Sequence, residues 1–170
     1  RQRSLLLREG RGDPAWFSAL EETMAELGVA IAAARRDVVA RLSAAMAGGD
    51  EIYPGAVMTA EGDVEGWLSD QPALGAETKF RDALERGRDR DGATGGAGTG
   101  PHRSDLAVRH AANELSAAQC STGEQKAILI AIVLAAVIGG WLYSGQLDNA
   151  DADAVKQEAA LEATAAADVE

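Results

Sequence analysis

Cys120-Ser121-Thr122-Gly123-Glu124-Gln125-Lys126 opens an apolar segment, Ala127 to Ile138, that contains no charge. A Ser-x-Gly turn at the start of a hydrophobic helix leaves backbone N–H groups and a hydroxyl at the positive end of the helix dipole, a ready place for an anion. Phosphate is the first ligand this stretch suggests. A second run, Gly100-Pro101-His102-Arg103-Ser104-Asp105-Leu106, ends fourteen residues before Cys120. After it, Leu106, Val108 and His110 alternate with Ala107, Arg109 and Ala111, as in a half-buried strand. Ala112-Asn113-Glu114 can turn the chain, and Leu115 to Cys120 can return as a second strand. A hairpin is thus expected to deliver the Ser121 turn.

Upstream, Asp13-Pro14 before Ala15-Trp16 is a helix start: Asp caps free N–H groups and Pro suits the first turn. Leu20, Met24, Leu27, Ile31, Ala34, Val38 and Leu42 recur at spacings of four and three. They predict a heptad-like stripe on a helix from Pro14 to Ala47, ended by Gly48-Gly49, that wants either a core or a partner helix. Gly28 within it costs about 1 kcal/mol relative to Ala. Glu51-Ile52-Tyr53 reads as a short strand, Pro54-Gly55 as a turn and Val64 to Leu68 as a short helix. Ala76 to Arg88 reads as another helix, with Phe80 and Leu84 on one face. Asp91 to Gly100, with five glycines in ten residues, reads as a flexible connector.

The formal net charge is −11, which argues against indiscriminate nucleic-acid binding by the whole surface. From Gln146 onward seven acidic residues face one lysine, so the first 145 residues carry only −5. Arg81, Arg86, Arg88, Arg90, Arg103 and Arg109 lie close in sequence, and a local basic face is open to them. Cys120 is the only cysteine, which excludes an internal disulfide and any multi-thiolate metal site made by this chain alone; it reads as a small apolar residue at a strand end. His102 and His110 are too far apart in pattern for a metal pair. The expected metal set is therefore none. No leader-like segment is visible at the N-terminus, so a cytoplasmic location is the expectation. The start at Arg1 suggests a piece of a longer protein.

The two runs at this spacing resemble the C-terminal half of the RecF family, ABC-type ATPases of bacterial recombinational repair. There a Gly-Pro-His-Arg-x-Asp-Leu stretch precedes a signature motif of the Ser-x-Gly-(Glu/Gln) kind, and Ser121-Thr122-Gly123-Glu124-Gln125-Lys126 is similar to the spelling of alphaproteobacterial members. The resemblance extends back through Arg1-Gln2-Arg3 and the helix from Trp16 to Leu42. It implies an α/β ABC-type ATPase head fragment with an inserted helical, coiled-coil-like arm, helix-rich overall. The expected division is 1–90 helical arm region, 91–145 C-terminal part of the head with the signature motif, and 146–170 an acidic, disordered or solvated tail. One helix of the arm would be Pro14 to Ala47, its antiparallel partner lying partly upstream of Arg1.

In such ATPases two heads sandwich ATP, and the signature of one head closes on the γ-phosphate held by the other. The resemblance assigns nucleotide contact in trans to Ser121, Thr122, Gly123 and Glu124. Ser121 would offer its hydroxyl and Gly123 its backbone N–H, where a side chain would block close approach. Thr122 would face outward, and Lys126 would offer a point charge to phosphate. Arg103 is the other candidate for phosphate of nucleotide or DNA; the alternative for it is an ion pair with Asp105 or a neighbouring residue that fixes the strand. The implied ligands are ATP and Mg2+. The implied partners are DNA, a second copy in an ATP-dependent homodimer, and RecO and RecR, which help place RecA at single-stranded gaps in DNA damage and the SOS response.

No Gly-x-x-x-x-Gly-Lys-Ser/Thr occurs in the chain, and no apolar strand ending in paired acidic residues follows the signature segment. No catalytic residue is therefore expected within it, and ATP hydrolysis by the chain alone is not expected. After Leu134 the family pattern stops. Two other classes remain open on the sequence. Ala127 to Tyr143 is seventeen residues without a charge, with Trp141 and Tyr143 placed as an aromatic belt, so a membrane-anchored interaction protein is one of them; the signature-helix reading of the same residues weighs against it. A helical adaptor acting through the Pro14–Ala47 stripe, without ATPase activity, is the other.

Overall fold

In the computed structural model, residues 2–10, 13–46 and 55–140 are described. The elements are α1 (Gln2–Glu9), α2 (Pro14–Met46), β1 (Ala56–Glu61), α3 (Asp63–Asp70), α4 (Ala73–Arg86), α5 (Arg88–Thr94), β2 (Asp105–His110) and α6 (Thr122–Gly140). Single 3-10 turns at Pro101–Arg103 and Ala117–Gln119 flank β2. The expected strand at Glu51-Ile52-Tyr53, the Pro54 turn, the Gly48-Gly49 stop and the tail lie outside the described residues.

Helix α2 is the spine. Asp13 Oδ1 accepts the Ala15 N–H at 2.9 Å, and Pro14 opens the first turn, so the helix starts where its capping residues place it. Its 33 residues reach roughly 50 Å at ~1.5 Å per residue. The buried face is not the heptad stripe. Phe17, Glu21, Ala25, Gly28, Val29 and Ala32 are buried, whereas Leu27, Ile31 and Val38 stay exposed at 57%, 48% and 54%. The reason is backbone distance: small residues at 25, 28 and 32 let α4 come in close, and the larger side chains are left on the outer side. The main core joins Ala25, Val29 and Ala32 to Val64 of α3 and Ala76, Phe80 and Leu84 of α4. Trp67 stacks obliquely on Phe80, with ring centroids 6.2 Å apart.

Gly28 is explained by the same contact. A Cβ there would lie 2.5 Å from Phe80 Cε1 and 3.4 Å from Pro101 Cδ. Ala at 28 would gain about 1 kcal/mol of helix propensity but must displace a buried ring, an overpacking cost of about 1–3 kcal/mol. Gly28→Ala is therefore expected to lower stability modestly, by about 1 kcal/mol, in urea unfolding; a stabilised variant would show that Phe80 can move aside.

A second core lies at the other end of α2, where Met46 meets Ala56 and Met58 of β1, Cys120 and Ile128 of α6, with Leu42, Val108 and Ile132 packed against them. Here β1 and β2 pair antiparallel, Ala56 opposite His110 and Glu61 opposite Asp105. The strand expected from Leu106, Val108 and His110 is present, but its partner is β1, not Leu115 to Cys120. That returning segment is a 3-10 turn touching the sheet only through an isolated Arg109–Ser116 bridge. Ala56 and Met58 point inward as β1 alternates, so the apolar pair that covers Ile128 comes from sequence far upstream. The short helices are close to expectation, with α3 over Asp63–Asp70 and α4 over Ala73–Arg86.

The glycine-rich stretch corrects a further expectation. Residues 88–94 form α5, and Asp91, 1% exposed, anchors the glycine-rich turn beyond that helix: its Oδ1 accepts the Gly98 N–H at 2.9 Å. Gly95 closes α5 at φ 80°, a conformation that favours glycine. The stretch is a fastened turn rather than a loose connector, because a buried carboxylate takes up its backbone donor.

Candidate functional site

Helix α6 begins with a reciprocal cap. The Ser121 N–H donates to Glu124 Oε2 at 2.8 Å, and the Glu124 N–H donates to Ser121 Oγ at 3.4 Å. This is a capping box of the Ser-x-x-Glu form. Gln125 adds a second lock, its Nε2 donating to the Cys120 carbonyl at 3.0 Å. The Thr122 and Gly123 N–H groups have no acceptor among the described residues, so two donors at the positive end of the dipole face outward.

Ser121, Thr122, Gly123 and Lys126 are exposed and Glu124 half-exposed. A Cβ on Gly123 would meet only Ser121 Oγ, at 4.0 Å. Among the described residues, space does not demand glycine at 123. Hydrogen bonding to the carboxyl by Ser121, through its side chain and then its backbone N–H, outweighs desolvation and holds the Glu124 carboxyl below its ordinary range, with His110 adding a little. Being depressed in the folded chain, Glu124 supports the cap above the usual carboxylate pKa of 4.5, and that support fades as pH falls through the lowered value.

Cys120 is buried and its Sγ lies 3.5 Å from the Ser116 carbonyl oxygen. It sits after a 3-10 turn rather than at a strand end, and packs in the second core.

Arg103 occupies a different place. Its 3-10 turn is held on several sides: the Pro101 carbonyl accepts from Arg35 Nη1, His102 Nε2 is 2.9 Å from the Ala97 carbonyl, and Ser104 Oγ donates to Glu65 Oε1 at 2.7 Å. Gly100 enters at φ 143° with Phe80 Cζ 3.1 Å from where a Cβ would stand, so only glycine fits. Arg103 itself is exposed. The alternative ion pair, with Asp105 or a neighbour, does not form among the described residues; Asp105 Oδ1 instead accepts the Leu106 N–H at 2.8 Å. Arg103 and Ser121 flank opposite ends of β2, which spans roughly 17 Å at ~3.3 Å per residue. Within this chain they are two places, not one.

The basic face anticipated from six arginines is smaller than the sequence suggested. Arg88 pairs with Glu21, Nη2 to Oε2 at 2.5 Å, and lies over the Phe17 ring at 5.4 Å. The hydrogen bond to Glu21 raises its pKa further despite partial burial.

Sequence reasoning missed the residues around this pair. Arg3 is 3% exposed and reaches Glu21 Oε1 and Asp91 Oδ2, each at 2.8 Å, and the Leu84 carbonyl at 2.6 Å. A signal existed: Glu21 stands on the face of Phe17 and Ala25, four residues from each, where a charge needs a buried partner. Among the described residues no group of three or more His, Cys, Asp or Glu could hold a metal ion.

Helix α6 is amphipathic only in placement. Ile128 is buried and Ala131, Ile132 and Ala135 pack inward, but Leu129, Ile130, Val133, Leu134, Val137 and Ile138 are exposed. It is long and apolar enough to cross a membrane by length and composition.

This helical layer on a short antiparallel sheet has the fold of part of a solved ABC-type ATPase. A solved structure of "the recombination mediator protein RecF-ATPrS in RecFOR pathway" superposes on the chain with a TM-score of 0.66, covering 79% of this chain and 37% of that one at 17% identity. No protein-family model matches.

Curated relatives are closer in sequence. The "DNA replication and repair protein RecF" of Mesorhizobium japonicum is 51% identical over 139 residues, 79% of this chain. Those of Rhizobium rhizogenes and Brucella abortus are 43% and 46% identical over similar stretches. The chain is a partial RecF-family sequence, and it spans about a third, 36%, of the curated relatives it matches.

Proposed function

We propose that this chain is the signature-bearing portion of a RecF-type DNA replication and repair ATPase. In the whole protein it would bind DNA and ATP with Mg2+, dimerise on ATP, and act with RecO and RecR in placing RecA, in the cytoplasm. The observation that carries the reading is the start of α6: two outward N–H donors, the Ser121 hydroxyl and an unobstructed Gly123, in a chain 51% identical to a RecF. That set is suited to a γ-phosphate presented by another head.

Ser121 and Gly123 would make the contact, Thr122 and Lys126 lying beside it. Glu124 has a different part in this reading: its carboxylate takes the Ser121 N–H and holds the serine in place. Arg103, on its rigid turn, would reach phosphate of nucleotide or DNA separately. Residues 1–90 as arm and 91–145 as head remain the working division, and the P-loop and the magnesium ligand would come from outside this chain. The exposed faces of α2 and α6 would be covered by the rest of the protein.

The test uses a full-length RecF-type protein carrying this segment. Gly123→Trp is expected to leave the monomer folded and to abolish ATP-driven dimerisation in analytical ultracentrifugation, because an indole would stand where the γ-phosphate must approach. Dimerisation that survives the substitution would withdraw the signature assignment.

A second reading rests on α6, a long apolar helix most of whose residues are unburied. If vesicles of neutral lipid retain the chain, and Val133→Lys releases it, the membrane-anchored reading replaces this one.

A further inference from the structure

Helix α1 is attached through a buried charged side chain. Its one buried residue is Arg3, while Leu5 is 55% exposed. The guanidinium fills the junction of three helices, meeting Glu21 of α2, Asp91 of α5 and the Leu84 carbonyl of α4. Asp91 divides its two oxygens: Oδ2 takes Arg3, and Oδ1 takes the Gly98 N–H at 2.9 Å. Ala97, next to Gly98, packs against the main core, and its carbonyl is 2.9 Å from His102 Nε2. A continuous chain of polar contacts therefore runs from α1 through one carboxylate to the turn that presents Arg103.

We infer that Arg3 is a positioning residue for the Arg103 turn, acting through Asp91 and the Gly95–Gly100 segment. The physical ground is that Arg3 and the Gly98 N–H share one carboxylate. With Arg3 in place, Asp91 is oriented and charge-balanced, and its second oxygen is aimed at Gly98. Without Arg3, the buried Asp91 keeps only the peripheral Arg90, 3.5 Å away and largely exposed. It must then turn toward solvent or toward Arg90, and either movement releases the Gly98 N–H. The segment from 95 to 100 is rich in glycine and has little stiffness of its own. Besides the Thr94 Oγ1 bond to the Gly96 carbonyl at 3.3 Å and the packing of Ala97, that bond and the His102 contact set its path, so seating or unseating α1 is read out at Arg103. This holds whatever Arg103 touches, and does not depend on the ATPase reading.

Amide hydrogen exchange by mass spectrometry on the full chain tests it, comparing peptides from α1, from 95–104, and from β1 and β2, which share no contact with Arg3. Arg3→Met and Asp91→Asn are expected to accelerate exchange of 95–104 by about tenfold while β1 and β2 keep their rates. Arg3→Lys, which keeps the charge but cannot reach three acceptors at once, should fall between them and the wild type. Acceleration confined to α1 would overturn the inference, since the turn would then hold without the latch. Equal acceleration of every peptide in Asp91→Asn and Arg3→Lys would also overturn it, because the cluster would then only stabilise the whole fold. Should Arg3→Met unfold outright, the pattern in the two milder variants decides.

Discussion

Glu21→Gln is expected to lower stability by about 3 kcal/mol at neutral pH, the cost of breaking a buried ion pair from one side. Glu21 is fully buried, and it serves two guanidiniums, Arg3 at 2.8 Å and Arg88 at 2.5 Å. The variant leaves Arg3 with Asp91 and the Leu84 carbonyl, and Arg88 with Glu85 at 3.7 Å on the surface. Because Arg3 retains one carboxylate, the loss falls at the lower end of the usual range.

The pH dependence has a definite sign. Burial by itself would raise the Glu21 pKa, but the hydrogen bonds from Arg88 and Arg3, with their charges, outweigh it and hold the carboxyl below its ordinary 4.5. A depressed carboxylate contributes stability that is complete above the ordinary value and is lost as pH falls through the lowered one. Urea midpoints of wild type and variant should therefore lie well apart at pH 7 and converge as the solution is acidified below about 4.5. A gap independent of pH, or one under about 1 kcal/mol at pH 7, would mean that the pair contributes little beyond a surface salt bridge.

Phe80→Ala should cost about 3–5 kcal/mol. The ring is 2% exposed and sits where α2, α4 and the entry to the Arg103 turn converge, against Gly28, Gly100 and Trp67. Neither glycine has a side chain that could move into the space, so the cavity cannot collapse easily and the cost goes to the upper part of the range. Leu74→Ala on the same helix is the control. Leu74 is 75% exposed, and its truncation should change stability by less than about 0.5 kcal/mol. Similar urea midpoint shifts for the two would show that the main core is not organised around Phe80.

Legibility in the sequence differs from element to element. The start of α2 is legible because Asp13 and Pro14 act locally on the first turn, and α4 because Phe80 and Leu84 repeat at helical spacing. The cap of α6 lies in the sequence as Ser121 and Glu124 three apart, but the Ser-x-Gly turn points toward an anion and draws the eye past the carboxylate that binds back. The face of α2 is misjudged from pattern. Large apolar side chains at 27, 31 and 38 outweigh Ala25, Gly28 and Ala32 there, although close helix approach selects the small residues. Pairing of β2 goes wrong because adjacency favours Leu115–Cys120, whereas register against the core requires β1, about fifty residues upstream.

By itself the sequence determined what is local or spelled out: the helix starts, the strand alternation from Leu106 to His110, and the paired motifs by which the chain resembles RecF. Only the tertiary structure decided which face of α2 is buried, that Arg103 and Ser121 stand at opposite ends of β2, and that Arg3, Glu21 and Asp91 form one buried cluster with Arg88 at its edge. The physical reason is range. Caps and periodicities act over a single helical turn, but a buried charge is tolerated only by partners that folding brings together, here from positions as far apart as 3 and 91.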